Sequence, residues 1–371
     1  MNIRLDTGIL DIAVNPRLNE LVGFGSRINK KRGFLFVSKV LGKHIPTKPS
    51  SMKKIYIDLA SKIKPRIIKN RPTLVIGFAE TATALGNGVF DALRDECGIK
   101  DIIYIHSTRF QTSNEVFLNF YEEHCHAPSH IIYKPKDNRL QDLLYDVQSV
   151  VLVDDEASTG NTANNLVNEI KKLLPKVDNY IVATILNWST KKYDNFSFIS
   201  LYKGKFTFEW SDNHLTNSKS SVISEAKEKV DLDEIIPYNF GRYAIEKAHY
   251  IIETPIDLDD IRDKKVLILG TAEFMYPPYL LALYLEENGI DVYNQATTRS
   301  PVNVDGEITS KIGFIDNYFE NIDNFLYNVT DREYGKIYIC YETTQIPKQF
   351  KLKEILEKDG FDVENIFFRD N

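Results

Sequence analysis

Residues 150–162 read VVLVDDEASTGNT, an apolar run that closes on Asp154 and Asp155 and passes at once into small, hydroxyl-bearing residues. Adjacent carboxylates accept hydrogen bonds from the vicinal hydroxyls of a sugar. Ala157, Ser158, Thr159, Gly160, Asn161 and Thr162 then form a short loop, in which Gly160 permits a turn that other residues resist. A helix opening near Thr162 adds unpaired N–H groups and the positive end of its dipole, which completes a phosphate cradle. The loop has no lysine and no GxxxxGK[ST] spacing, so it is not a nucleoside-triphosphate P-loop. Two acids one step before a phosphate cradle fit a sugar phosphate. The competing reading is an ordinary strand–turn–helix whose hydroxyls only cap the helix.

Those acids can act together only if a strand delivers them to the open end of a sheet. TLVIG (73–77), DIIYIH (101–106), VVLVD (150–154) and NYIVATIL (179–186) read as buried strands, with amphipathic helices over 82–96 and 162–174. Strands spaced by helices mean a parallel sheet with helices on both faces, and such sheets bind ligands beyond their carboxyl ends. The pattern fades in the polar stretch 211–232, read as a linker. It resumes with KKVLILG (264–270), a helix over 277–288, DVYNQAT (291–297) and KIYICYE (336–342).

Composition narrows the class. A length of 371 residues makes two domains the default, and 43% hydrophobic residues suffice for real cores. The net charge of −6 argues against a nucleic-acid partner. No apolar segment reaches about 18 residues and the N-terminus lacks a signal pattern, so a cytoplasmic protein without a membrane partner is expected. The cysteines Cys97, Cys125 and Cys340 form no CxxC, which suits reduced thiols. Residues 21–54 stand apart with nine Lys or Arg and no acid: Arg27, Lys30, Lys31, Arg32, Lys39, Lys43, Lys48, Lys53 and Lys54. This is an anion-attracting surface, a subunit interface or a solvated basic face.

The 150–162 segment resembles the 5-phosphoribosyl-1-pyrophosphate (PRPP) signature of type I phosphoribosyltransferases, where four apolar residues precede two acids and a T/S-T-G-x-T loop. The resemblance implies that Asp154 and Asp155 hold the ribose hydroxyls and that 157–162 hold the 5′-phosphate. It implies Mg²⁺ as the cofactor, bridging substrate oxygens and met by Asp154 and Asp155 only indirectly, through water or substrate. An earlier loop of that family holds pyrophosphate. Gly77, Phe78, Ala79, Glu80 and Thr81 occupy its place, or else form a tight turn capped by Thr81. The loop after the second strand closes over substrate in the family, which implies Arg109 as a pyrophosphate contact, or else a salt-bridged surface arginine, and His124 or His126 as proton donors or substrate contacts. Glu122, Glu123, His124, Cys125, His126 and His130 also read as a zinc site, because H-x-H on an extended chain points both rings one way.

The C-terminal half can be laid beside the first. LVIGFAETAT…STR (74–109) and VLILGTAEFM…TTR (266–299) both run strand, G-x-A-E, helix, G-I, strand, T-R. IYICYETT (337–344) falls where VLVDDEAS falls, with Cys340 and Tyr341 in place of the two acids. An internal duplication that lost its ribose-binding acids accounts for this, although any βαβ unit gives part of the pattern. With TTRSP (297–301), the whole chain resembles the two-domain proteins of bacterial tellurite-resistance-associated gene clusters, in which a phosphoribosyltransferase-like domain precedes a TRSP domain.

The expected fold is therefore a type I phosphoribosyltransferase-like parallel sheet with flanking helices (1–210), a linker (211–232) and a second α/β domain (233–371). That second domain is Rossmann-like or a degenerate phosphoribosyltransferase. Glu273, Thr298, Arg299 and Ser300 are candidates for a second site, or structural residues. The implied function is Mg²⁺-dependent phosphoribosyl transfer from PRPP to a small-molecule acceptor, as a homodimer and with partner enzymes of the cluster, toward a nucleoside-like metabolite. A non-catalytic PRPP or nucleotide sensor, or a nucleotide pyrophosphorylase or hydrolase, uses the same pocket.

Overall fold

The structure, a computed structural model, describes all residues except 14–15, 28, 30–31, 122–128, 212–230, 249–250, 253–255 and 370–371. The first sheet contains β1 (Thr73–Gly77), β2 (Ile102–His106), β3 (Ser149–Ala157), β4 (Asn179–Asn187) and β5 (Ser197–Lys203), in the order β5-β4-β3-β1-β2. Every pair is parallel. The central strands are continuous apolar runs because both their faces are covered. In β3 the burial is complete through Val153 and relaxes at Asp154, Asp155 and Glu156, where the strand runs past the end of β1 while still paired with β4. Helices α1 (Pro49–Ile63), α2 (Thr83–Asp95) and α3 (Asn161–Leu173) belong to this unit. Gly86 lets α2 press against β1, since a Cβ there would lie 2.6 Å from the Cα of Gly77.

The second sheet contains β6 (Lys265–Gly270), β7 (Asp291–Ala296), β8 (Lys336–Tyr341) and β9 (Val363–Arg369), in the order β9-β8-β6-β7, with Ile251–Ile252 antiparallel at the edge beside β9. Its four long strands repeat β4-β3-β1-β2 in order and direction. A duplication requires this agreement, and finer details share it. Each unit inserts a hairpin after its second strand, Val116–Tyr121 with Ser129–Tyr133 and Lys311–Ile315 with Asp323–Tyr327. Thr108 bridges to the first hairpin and Thr298 to the second. The amide of Ala79 donates to Ser107 Oγ at 2.9 Å, and the amide of Ala272 donates to Thr297 Oγ1 at 2.9 Å.

The two units share a core. The helix α4 (Tyr276–Glu287) follows β6 as α2 follows β1, and it packs on α1 and α2. Tyr276 donates to Asp91 at 2.5 Å, while the Tyr56 and Tyr279 rings meet edge to face at 5.2 Å. Met275, Tyr276, Tyr279 and Ala296 belong to the apolar cluster of the first sheet, so the interface resembles a core more than a hinge. The segment on the far side of the expected linker also reaches back. Tyr104 and Ile245 exchange backbone hydrogen bonds of 2.8 Å, and His106 donates to Gly241. Residues 212–230, most of that linker, lie outside the described residues.

The N-terminal segment covers the open end of the first sheet. Its hairpin, Val22–Ser26 with Phe34–Ser38, brings Phe36 onto Trp188 in a stack with 4.5 Å between ring centroids. Trp188 is therefore a core residue. No helix of the described residues is long and apolar enough to cross a membrane.

Candidate active site

At the carboxyl ends of β1, β3 and β4 lies a cleft lined by residues from several parts of the chain. The 150–162 segment supplies its floor. Asp154, Asp155, Glu156, Ala157, Ser158, Thr159, Gly160 and Thr162 all line it. Gly160 caps α3 with φ +85°, a left-handed turn closed further by the rings of Phe198 and Tyr193, either of which a Cβ would meet at 2.9 Å. Behind the loop, Ser189 and Tyr193 donate to the carbonyl of Thr159 at 2.8 and 3.0 Å. Asn161 is not among the lining residues. Its carboxamide oxygen accepts from Lys191 at 2.9 Å and shares the single Tyr193 hydroxyl proton with the Thr159 carbonyl, which fixes the first turn of α3.

Phe78, Ala79, Glu80 and Thr81 form the adjoining wall, and Gly77 stays behind it in the sheet. The Ala79 amide is already taken by Ser107, whose hydroxyl also meets His130 Nδ1 at 2.9 Å. Glu80 pairs with Lys43, a fully buried lysine whose Nζ lies 2.7 Å from Glu80 Oε1 and donates to the carbonyl of Ala272 at 2.8 Å. Burial lowers the pKa of Lys43 despite the attraction of Glu80. Burial works the other way on Glu80, but Lys43, Arg299 and Arg109 outweigh it and hold its pKa below the ordinary value. The lowered pKa of Glu80 favours its carboxylate form, which meets the Lys43 amine as an ion pair. Arg109 also lines the cleft, its Nη2 3.5 Å from the carbonyl of Ala79. His124 and His126, with Glu122, Glu123 and Cys125 of the zinc reading, lie outside the described residues. His130, the remaining member, lies against Phe120 with 4.6 Å between ring centroids.

Two groups of cleft residues come from elsewhere in the chain. The basic block divides its labour. Arg27, Arg32 and Lys43 face the cleft, with Arg32 Nη2 donating to both carboxylate oxygens of Glu156 at 2.9 and 3.0 Å. Lys39, Lys48 and Lys53 instead pair with Glu307, Asp291 and Glu287 of the C-terminal unit. Lys30 and Lys31 are outside the described residues, and Lys54 pairs locally with Asp58. The second group is the TTRSP motif, for Thr298, Arg299 and Ser300 line this same cleft. Sequence periodicity gave no signal for Ser38 or His44, which also line it, because their placement depends on tertiary contacts alone.

Glu273, the fourth second-site candidate, is buried between the units. It accepts from Thr108 Oγ1 at 2.5 Å and from the Arg109 amide at 2.8 Å. Arg242, buried beside it, forks onto Glu342 at 3.0 and 3.2 Å and lies 3.7 Å from Glu273, while Tyr318 donates to Glu342 at 2.8 Å. Strand register also corrects the alignment of the halves. Gly77 pairs with Val153 and Gly270 with Cys340. Hence Cys340 matches Val153, Tyr341 matches Asp154 and Glu342 matches Asp155. One acid survives in the second unit, neutralised by Arg242, while Tyr341 is buried against Phe350 and Phe367. The one-residue error arose because both segments present the same apolar run, and only pairing fixes register.

Two buried histidines give this region an acid dependence. Burial and then Lys43 lower the His44 pKa to about 3, and burial and then Arg242 lower that of His106 to about 4. Both rings are neutral in the folded protein, whereas in the unfolded chain each binds a proton near pH 6.5. The unfolded state binds more protons below that pH, so stability should fall as pH drops from about 6.5 toward 4. Each ring contributes about 1.4 kcal/mol per pH unit in that window. Urea midpoints between pH 7 and 4.5 will show the slope, and His106→Gln should make it shallower. An unchanged slope in that variant would remove His106 from the account.

Fold and cleft together describe an α/β protein of two units alike in strand order, with a cleft at the open end of the first sheet and, at the matching place in the second, the buried pair of Glu342 and Arg242. Residues 21–201 match the family described as phosphoribosyl transferase, and residues 242–358 match that described as TRSP domain C terminus to PRTase_2. The chain belongs to the two-domain family in which a phosphoribosyltransferase domain is followed by a TRSP domain. No curated protein gives a significant match. Among solved structures, it is similar to adenine phosphoribosyltransferase from Thermoanaerobacter pseudethanolicus at 19% identity, with 50% of this chain and 97% of that chain covered and a TM-score of 0.34. The enzyme from Giardia lamblia complexed with 9-deazaadenine gives 13% identity over 49% of this chain and 94% of that one, TM-score 0.34. That from Trypanosoma brucei, in complex with AMP, pyrophosphate and ribose-5-phosphate, gives 15% identity over 51% and 80%, TM-score 0.34.

Proposed function

We propose that the protein transfers the 5-phosphoribosyl group of PRPP to a small-molecule acceptor. The observation that carries this reading is the convergence on one cleft of Asp154 and Asp155, the 157–162 loop, the 78–81 loop and Arg109. In the reaction, the bond from the anomeric carbon to pyrophosphate breaks and pyrophosphate leaves with the electron pair. The acceptor's lone pair forms the new bond, and the acceptor gives up a proton if it carries one. Positive charge builds on the ribose ring as the leaving group departs, and the carboxylates of Asp154 and Asp155 stabilise it while accepting from the ribose hydroxyls. The loop at the start of α3 holds the 5′-phosphate through backbone amides and hydroxyls. No protein nucleophile is needed.

Asp154 and Asp155 are hard oxygen groups at the ribose end and would meet Mg²⁺ indirectly, through its water or the substrate. Among the described residues no group of three or more side chains could hold a metal, so such an ion would take most of its oxygens from PRPP and water. When bound it offsets the charge of the departing pyrophosphate. The acceptor would enter beneath the Phe34–Ser38 strand, where Leu35, Phe36 and the guanidinium of Arg32 border the cleft. The test is pyrophosphate release from PRPP with Mg²⁺ across a panel of nucleobases and small amines. Release that depends on one acceptor is expected. Tight PRPP binding without release on any acceptor would replace transfer by sensing, and release with water alone would make the protein a hydrolase.

A further inference from the structure

We propose that the C-terminal unit completes the first unit's site, with Arg299 binding the pyrophosphate end of PRPP. This rests on reading the 78–81 loop as the pyrophosphate loop. Arg299 lines the cleft together with Ala79, Glu80, Thr81 and Arg109. Its guanidinium is set rather than free to wander, because Nη2 donates to Glu320 at 2.8 Å and the group lies 4.4 Å from the centre of the Phe110 ring. A guanidinium has five N–H donors, so one bond to Glu320 leaves capacity for a phosphate oxygen.

The repeat explains how this arginine comes to be there. Thr108 and Arg109 of the first unit match Thr298 and Arg299 of the second, and Glu80 matches Glu273. The first pair reaches across to the second unit's acid, through bonds of 2.5 and 2.8 Å to Glu273. In return the second pair lies beside the first unit's acid, since Arg299 and Glu80 face one cleft and the charge of Arg299 acts on Glu80. Such reciprocity, residue i on j and j on i, is the mark of a two-fold contact. Here it occurs within one chain, and it places two arginines rather than one at the pyrophosphate loop. They are needed, because Lys43 is already committed to Glu80 and adds no net charge for a ligand. Pyrophosphate brings several negative charges into a partly dry site, where charge-assisted contacts are strongest.

The test uses the full chain with Mg²⁺ and three probes by calorimetry: PRPP, inorganic pyrophosphate and ribose 5-phosphate. Arg299→Ala should weaken PRPP and pyrophosphate by about 10–100-fold and leave ribose 5-phosphate unchanged. Arg299→Lys should recover part of the loss, since it keeps the charge but not the fork. If the alanine variant does not fold, the lysine variant carries the test through the same contrast between pyrophosphate and ribose 5-phosphate. Wild-type affinity for pyrophosphate in the variant that folds would overturn the assignment, as would equal weakening of all three probes. Failure of the wild type to bind either PRPP or pyrophosphate would instead overturn the phosphoribosyltransferase reading beneath it.

Discussion

Replacing Asp154 and Asp155 together by asparagine should lower kcat/KM for PRPP by about 10³-fold or more while leaving the fold intact. Each carboxylate is expected to make a charge-assisted hydrogen bond to a ribose hydroxyl, worth about 1.5–3 kcal/mol, or roughly tenfold to a hundredfold. The same charges oppose the positive character of the ribose in the transition state, a contribution of order 10²-fold in comparable electrostatic sites. The loss should therefore fall on kcat as well as on KM, because asparagine still offers an oxygen to the ground-state hydroxyls. Stability should barely change. Both side chains are only partly buried, and the oxygen of Asp154 that accepts from the Asp155 amide at 2.9 Å has a counterpart in asparagine. Steady-state kinetics beside a thermal melt distinguishes the outcomes. A double variant with wild-type turnover would remove the two acids from the site, whatever the protein's reaction proves to be.

What could be read from the sequence divides along physical lines. The strand, the two acids and the loop at 150–162 are local, since a buried apolar run, a break in hydropathy and one obligatory glycine occupy consecutive positions. The same holds for the first sheet, whose parallel strands are continuous apolar runs. The likeness of the two halves was also visible, because GxAE and TR recur at matching intervals. Register was not, since Val153 and Cys340 sit in runs that look alike when shifted by one. Nor could the sequence say that TTRSP lines the first unit's cleft. That depends on how the two sheets face each other, a relation carried by Tyr56, Tyr276, Tyr279 and a buried ion network, which no local pattern records. The basic block shows the same limit. Its charge was obvious, but the division between cleft residues such as Arg32 and interface residues such as Lys48 depends on where the acids of the other unit fall.

That ion network should be the costliest single point to break. Arg242 is only 2% exposed, and so is its partner Glu342. Arg242→Met leaves Glu342, and Glu273 beside it, buried without their cation, which costs about 3–5 kcal/mol when one member of a buried pair is removed. Adding Glu342→Gln should recover much of the loss, because the uncompensated charge is then gone and the amide still accepts from Tyr318. Urea midpoints of wild type, Arg242→Met and Arg242→Met/Glu342→Gln measure the difference. A double variant no more stable than Arg242→Met would mean that the arginine matters for packing alone. Because Glu273 holds the Arg109 amide and Thr108, the loss should also reach the cleft, weakening PRPP binding in a variant that remains folded. In this way the buried pair of Arg242 and Glu342 supports Glu273, which anchors Thr108 and Arg109 at the edge of the first unit's cleft.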